Sequence, residues 1–395
     1  MRIVHVEDFF HPDAGYQINI LPKYMAKLGH EVIIVTSEMK KIPEDLTSFF
    51  GRDNIEQADL NYTKTTGVRI IRLPLLKFVS GRAIFKKNLI EKVSSLNPSI
   101  VYVHGNDTFT GIRFLLNQKK LGFPIIMDSH MLEMAAKNKF SFFFRKFYKN
   151  FITPIIVKNN IKVIRTQNDS YVEEHLGIPL HQSPWISVGS DTMLFYPDNI
   201  AKKRNRSQYN ISENDFVVLY TGKLDESKGG KLLAETFKKK ISSKKYSKIV
   251  LIVVGNTSGT YGQIVDEIFK QSENEIIRIP TQKYINLPDL YKMADLSVFP
   301  KQCSLSFFDA QACGLPVIAE ENNINNERLM FQNGLVFKAG NMKDFRNKIN
   351  DFVNMDEEKI NRFSQNSHEY ARKNYDYKTI ADKYMQVITN EYMQK

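Results

Sequence analysis

Short runs of aliphatic and β-branched residues, each followed by a stretch with helical apolar spacing, recur along this chain, and that alternation limits its fold more than any other feature. The first run is Arg2-Ile3-Val4-His5-Val6. After a loop, Ile18, Ile20, Leu21, Tyr24, Met25 and Leu28 repeat at helical intervals, and Gly29 ends the helix as a residue tolerant of positive φ. Val32 to Thr36 is then a continuous apolar strand of the kind buried on both faces of a parallel sheet. Further strands are expected at 67–73, 100–104, 124–128, 163–166 and 185–188, with room between most of them for crossover helices.

Residues 191–210, with Asp191, Pro197 and a polar run from Asn199 to Asn210, read as a linker, after which the pattern restarts. Strands are expected at 216–220, 249–255, 275–279, 296–299 and 316–319, with a helix at 230–240. Residues 356–392 read as two amphipathic helices broken near Tyr375 to Tyr377. The fold class is α/β: two doubly wound parallel sheets, at 1–197 and 198–375, with a C-terminal helix at 376–395 returning to the first.

The two cysteines, Cys303 and Cys313, have no His cluster beside them, so neither a disulfide framework nor a zinc site is expected. Glu7 and Asp8 stand early in the opening segment, against a signal peptide, and no apolar run reaches the roughly 18 residues of a membrane span. A cytoplasmic chain is expected. Its net charge of +12 is unevenly spread. From Met134 to Arg165, Lys137, Lys139, Arg145, Lys146, Lys149, Lys158, Lys162 and Arg165 occur without an acidic residue, interleaved with Phe140, Phe142, Phe143, Phe144, Phe147, Tyr148 and Phe151. Such a segment suits either peripheral docking on anionic lipid at the inner face of the cell membrane or a helix with buried rings and solvated lysines. The stretch Lys77-Phe78-Val79, Arg82 and Phe85-Lys86-Lys87 would extend that surface.

Two segments carry the chemistry. Tyr220 to Gly230 reads as strand, turn and helix, with Gly222 in the turn and Lys223 and Lys228 five apart, a receptor for a diphosphate at a helix N-terminus or, alternatively, a solvated loop. Pro300 to Val317 leads from Ser304, Leu305 and Ser306, whose amides suit phosphate oxygens, to Asp309, which suits a pair of vicinal hydroxyls such as a ribose offers. There is no Walker motif, and no G-x-G-x-x-G follows either domain's first strand, which excludes the usual dinucleotide oxidoreductase. No nucleic-acid-binding module is recognised.

In order along the chain, His11 to Tyr16, Gly29-His30-Glu31-Val32, Ser99 to Gly105, Pro124 to His130, Gly189 to Pro197, the Lys223/Lys228 pair, Asp309 to Val317 and Glu327 to Phe337 resemble the motifs of glycosyltransferase family four, the group 1 glycosyltransferases of bacterial polysaccharide and glycolipid synthesis. The resemblance implies the GT-B fold, with two Rossmann-like domains facing across a cleft: an acceptor domain first and a nucleotide-sugar domain second. It implies a retaining transfer of sugar from a nucleotide diphosphate donor, UDP in preference to GDP, to a saccharide or lipid-linked acceptor. His130 would sit at the reacting centre, with His104 as a second candidate. Lys223 and Lys228 would neutralise the leaving diphosphate, and the main chain at Gly15, Gly222, Ser304, Leu305 and Ser306 would line the phosphates. Asp309 would hold the ribose and Glu327 would assist the donor. No Asp-x-Asp motif occurs, and two lysines can stand in for a divalent ion, so no metal and no cofactor are expected. The family's first carboxylate of a Glu-x7-Glu pair is replaced by Lys301, with Gln302 adjacent. That replacement keeps a second expectation open, a non-catalytic GT-B scaffold working with an active partner at the membrane.

Overall fold

Strand β1, Arg2–Val6, is buried from Ile3 onward, and the continuous apolar strand β2, Glu31–Ser37, lies parallel beside it. In the computed structural model, which describes residues 1–43, 54–79, 81–130, 141–301 and 303–394, these strands begin the first of two units, Met1–Val188 with Tyr377–Lys395. The sheet is completed by β3, Arg69–Leu73; β6, Ile100–Val103; β7, Ile125–Ser129; and β8, Val163–Arg165. Among the described residues it runs in the order β3-β2-β1-β6-β7-β8, parallel throughout. The chain order reverses between β1 and β6, which is where open α/β sheets present their binding residues, at the strands' carboxyl ends. Helix Gln17–Lys27 ends at Leu28, and Gly29 follows at φ 86°, the left-handed conformation that a glycine adopts without strain.

Strands β4, Leu75–Val79, and β5, Arg82–Phe85, form an antiparallel pair of their own. Their burial corrects one expectation: Phe85 belongs to the core and Phe78 packs against it, so these rings do not extend an exposed surface. A second correction concerns 185–188, which is no strand. Trp185 makes a single bridge to Arg165, and Pro184 before it has no N–H to lengthen the ladder. Helix Tyr377–Met393 packs on helix Gln17–Lys27 and on β7, with the Gln17 amide donating to the Tyr384 hydroxyl at 2.6 Å.

The second unit, Gly189–Asp376, holds β9, Phe216–Thr221; β10, Ile249–Val254; β11, Glu275–Ile279; β12, Leu296–Phe299; β13, Val317–Glu320; and β14, Gly334–Phe337. The order is β11-β10-β9-β12-β13-β14, again all parallel, with the reversal between β9 and β12. The units divide after Val188 and after Asp376, in place of the expected breaks at 197 and 375.

The polar run taken for a linker is helix Asn199–Gln208, inside the second unit. Asp198 caps it, accepting from the Ile200 and Ala201 amides at 3.0 and 2.9 Å. Its inward face is Ala201, Asn205 and Arg206, two of them polar, and this hid the helical period. Arg206 is accommodated because Asp295 meets it at 2.5 Å, while Lys202 meets the other carboxylate oxygen at 2.6 Å. The helix expected at 230–240 is shorter, Gly230–Thr236, and the final two helices are Glu357–Asn374 and Tyr377–Met393.

Candidate functional site

In the second unit the main chain leaves β9 through Gly222, at φ 146°, with its amide donating to the Val254 carbonyl at 3.0 Å. Beside it Gly255 leaves β10 at φ 149°, so close that a Cβ there would lie 1.9 Å from the Gly222 oxygen. Two glycines at this crossing let the backbones touch and turn the next residues outward. The Tyr220 hydroxyl then donates to the Lys223 carbonyl at 2.6 Å and pins the turn.

Asp225 accepts from the Lys228 amide at 3.0 Å and closes a 3-10 turn, Glu226–Lys228, before helix Gly230–Thr236. Lys223 is exposed, while Lys228 is half-buried. Burial pushes the Lys228 ammonium below its usual range, and the charge of Lys223 adds to that. A seven-residue helix brings only a modest dipole to this place, and the lysines carry most of the positive potential. Lys301, following β12, donates to the Glu226 carbonyl at 3.0 Å. Lys301 thus sets a third cation against this turn from a different part of the chain. Gln302 lies outside the described residues.

Ser304 and Leu305 lead into helix Ser306–Ala312; the Phe307 and Phe308 amides turn back to their carbonyls, and Ser304 donates to the Ser306 hydroxyl at 3.0 Å. Asp309 is buried, with Ser190 donating to its Oδ1 at 2.6 Å and Tyr284 at 3.4 Å. Burial raises its carboxyl to about 8, against the pull of the two hydroxyls. Glu327 is half-buried on helix Asn323–Arg328, next to Arg328, whose guanidinium lies over the rings of Phe307 and Phe308 at 5.3 and 4.7 Å. Burial pushes the Cys303 thiol up to about 11 although Arg328 and Lys228 pull it down. Of the expected residues, the structure gathers Lys223 and Lys228 on one turn and sets Asp309 apart in a hydroxyl-lined niche.

Gly15 belongs to the first unit, in the loop ahead of helix Gln17–Lys27. His130, directly after β7, has a side chain 44 % exposed, whereas His104, after β6, is buried. Asp128, fully buried on β7, joins them: its Oδ2 lies 3.1 Å from His104 Nδ1 and 3.1 Å from His130 Nε2, and accepts the Tyr102 hydroxyl at 2.5 Å. Its Oδ1 accepts the Gly105 amide at 2.7 Å. Burial alone would raise this carboxyl, but the two imidazoles outweigh it and hold Asp128 well below the usual carboxylate range. For His130 burial pulls the ring down, and Asp128 with Glu7 overcomes that, leaving it raised. His5 Nδ1 is 3.0 Å from His104 Nε2, and burial keeps His5 well below its ordinary value. Glu7, after β1, is raised to about 7 by burial. The ligating atoms of His104, Asp128 and His130 lie within 4.8 Å of one another, but the nitrogens facing Asp128 need their protons for these hydrogen bonds, so the group is a hydrogen-bond cluster.

Sequence reasoning missed His5, Asp128, Ser190 and Tyr284. A signal existed for the first two: each interrupts an otherwise apolar buried strand, where a polar side chain persists only with partners. Ser190 and Tyr284 reach Asp309 from 119 and 25 positions away, and no local pattern marks them.

Residues 201–370 match the family model described as glycosyl transferases group 1. A lipopolysaccharide 1,2-N-acetylglucosaminetransferase of Salmonella typhimurium is 30 % identical over 127 residues, 29 % of this chain and 33 % of that protein, so the match spans about a third of the relative's length. Solved structures are similar over almost the whole chain. A glycosyltransferase from Rickettsia africae has TM-score 0.74 at 16 % identity, with 99 % of this chain and 98 % of that one covered. The Anabaena protein HepE in complex with UDP has TM-score 0.73 at 16 %, covering 99 % and 100 %. The sucrose-phosphate synthase of Thermosynechococcus elongatus has TM-score 0.70 at 17 %, covering all of both chains. At these identities the likeness shows the fold, which is GT-B. Most of the second unit thus matches the model for group 1 glycosyl transferases, and the chain as a whole has the GT-B fold of these structures.

Proposed function

We propose that this chain is a retaining glycosyltransferase that moves a sugar from a nucleotide diphosphate donor to a saccharide or lipid-linked acceptor in cell-surface polysaccharide or glycolipid synthesis. The observation that carries this reading is the turn after β9 that holds Lys223 and Lys228, with Lys301 donating to its Glu226 carbonyl, inside the segment that matches the family model. In the transfer the bond from the anomeric carbon to the diphosphate oxygen breaks and a bond to the acceptor oxygen forms. Negative charge develops on the leaving diphosphate, and the acceptor's proton passes to an oxygen of that departing group. Fixed ammonium groups lower the barrier by stabilising that charge, which is the work otherwise given to a divalent ion. Metal-independent transfer follows as part of the proposal. Asp309 is assigned to the ribose, Gly15, Gly222 and Ser304 to Ser306 to the phosphates, Glu327 to donor support, and His130 to the reacting centre. UDP is the preferred nucleotide, in keeping with the UDP bound by the similar Anabaena protein and with the acetylglucosamine transfer in the Salmonella relative's name.

The acceptor side of the proposal is peripheral contact with anionic membrane. Phe142, Phe143, Phe147 and Phe151 are 66, 69, 44 and 65 % exposed, while Tyr148 between them is buried in the core. The segment thus anchors Tyr148 and Phe144 against the core and leaves four rings exposed among Arg145, Lys146 and Lys149. No described helix is long and apolar enough to cross a membrane. Lys137, Lys139 and Phe140, counted in the same basic aromatic segment, lie outside the described residues.

A second reading, a non-catalytic scaffold beside an active partner, draws on Lys301 standing where the family has a carboxylate. A thermal-shift screen of UDP- and GDP-sugars, followed by transfer or hydrolysis assays of the hits with and without chelator, separates the two, because a bound donor raises the melting temperature by mass action. Stabilisation by UDP-sugars with chelator-resistant turnover is the expected result. Binding without turnover moves the assignment to the scaffold, and no binding by any nucleotide removes the donor site.

A further inference from the structure

The hydrogen bonds around Asp128 have a direction, and following them assigns the protons. Thr166 Oγ1 donates to the Ser129 carbonyl at 3.0 Å, which uses the one hydrogen a hydroxyl has. Its lone pair then faces His130 Nδ1 at 3.3 Å, so that nitrogen carries a hydrogen. On the other side of the same ring, Nε2 faces an Asp128 oxygen at 3.1 Å, and a carboxylate only accepts. Both ring nitrogens are donors, and a histidine with two donors is a cation. Behind it, His104 Nδ1 also faces Asp128, so its Nε2 accepts from His5 Nδ1 at 3.0 Å. His5 Nε2 is buried and has no partner, which suits a bare lone pair far better than a stranded N–H. Four donors converge on Asp128, from Tyr102, His104, His130 and the Gly105 amide, and they account for a carboxylate buried without a lysine or arginine against it.

We propose that Asp128 is a positioning residue that fixes His130 as a standing imidazolium, with the neutral pair His104 and His5 completing a one-way hydrogen-bond chain behind it. The inference rests on the proposed function only in placing His130 against substrate. Its content is that His130 serves the reaction as a fixed positive charge and hydrogen-bond donor to an anionic oxygen, such as one of a phosphate, and takes no proton from the acceptor. The other charges facing the cluster are Glu7 after β1, Arg82 on β5 and Asp107 after β6. Of these Glu7, raised to about 7, is the one that changes charge near neutrality. Asp128 is thereby separated from a merely structural role, since it governs the charge of a neighbouring ring.

The test is long-range proton–nitrogen NMR of the full-length chain labelled with 15N-histidine, followed from about pH 6 to 9, a range that brackets the ordinary imidazole transition. The His130 signals are assigned by their loss in His130→Gln. Both His130 nitrogens are expected to keep protonated shifts at about pH 7.5, where a free imidazole is mostly neutral. Asp128→Asn should lose that signature at the same pH. Thr166→Val, which leaves the carboxylate and its other donors in place, should shift the transition in the same direction by less. A wild-type ring that is neutral at that pH overturns the proposal, and so does a signature unchanged in both variants. The readout needs no substrate, so an absence of nucleotide binding together with a doubly protonated His130 would count against the donor assignment alone.

Discussion

Ser190 and Asp309 are 119 positions apart, and the serine hydroxyl meets the buried carboxyl at 2.6 Å. Together with Tyr284 it fixes one oxygen of a group that burial holds protonated up to about pH 8. Its value is raised above that of the unfolded chain, so from the ordinary carboxylate range up to about pH 8 the unfolded chain sheds this proton while the folded one keeps it, and stability falls as the pH climbs through that window.

A nucleotide whose ribose hydroxyls donate to Asp309 stabilises the anion, so binding below about pH 8 should release a proton, and affinity should rise towards that pH. Calorimetric titration of UDP in two buffers of different ionisation enthalpy measures this. Proton uptake, or an Asp309→Asn variant that binds as well as the parent, would remove Asp309 from the ribose.

Lys223→Ala with Lys228→Ala should weaken UDP binding by on the order of 100-fold, the loss of two charge-assisted contacts of roughly 1.5 kcal/mol each. The fold should be kept, because Lys223 is exposed and Lys228 half-buried. Calorimetry checks the affinity and circular dichroism the fold. Unchanged affinity in the folded double variant would falsify the diphosphate site.

Asp295→Ala should destabilise the second unit by about 3 kcal/mol, because Arg206, with a side chain 6 % exposed, loses the carboxylate that pairs with it. The Val217 amide, which donates to the same carboxylate at 2.7 Å, loses its partner too. Urea unfolding measures the change. A loss under about 1 kcal/mol would mean that helix Asn199–Gln208 contributes little to the unit.

Replacing Phe142, Phe143, Phe147 and Phe151 by serine should reduce sedimentation with anionic vesicles by about tenfold for each ring removed, with no loss of UDP affinity. Equal recovery of parent and variant with the vesicles would sink the membrane assignment and leave the donor site standing.

The sheets were legible in the sequence because a strand covered on both faces is apolar along most of its length, as Val32 to Val35 and Ile249 to Val254 are. Helix Asn199–Gln208 was not, because its inward positions include Asn205 and Arg206, which are tolerated only by virtue of Asp295 far along the chain. The lysine turn could be read locally, five residues apart beside a glycine. The partners of Asp309 and the chain from His5 to His130 are products of tertiary placement, and only polar residues inside apolar strands hinted at them.

The chain enters the second unit at Gly189 and leaves it at Asp376, and that path sets an order of events during synthesis. Residues 189–376 are contiguous and can close their core while translation continues. The earlier-made unit cannot finish, since Tyr384, which stacks on Tyr102 and bonds Gln17, emerges only after the whole second unit has been made. The first unit, with the rings around Asp128, is therefore completed by residues made after Asp376, whereas the second unit is drawn from one unbroken stretch of chain.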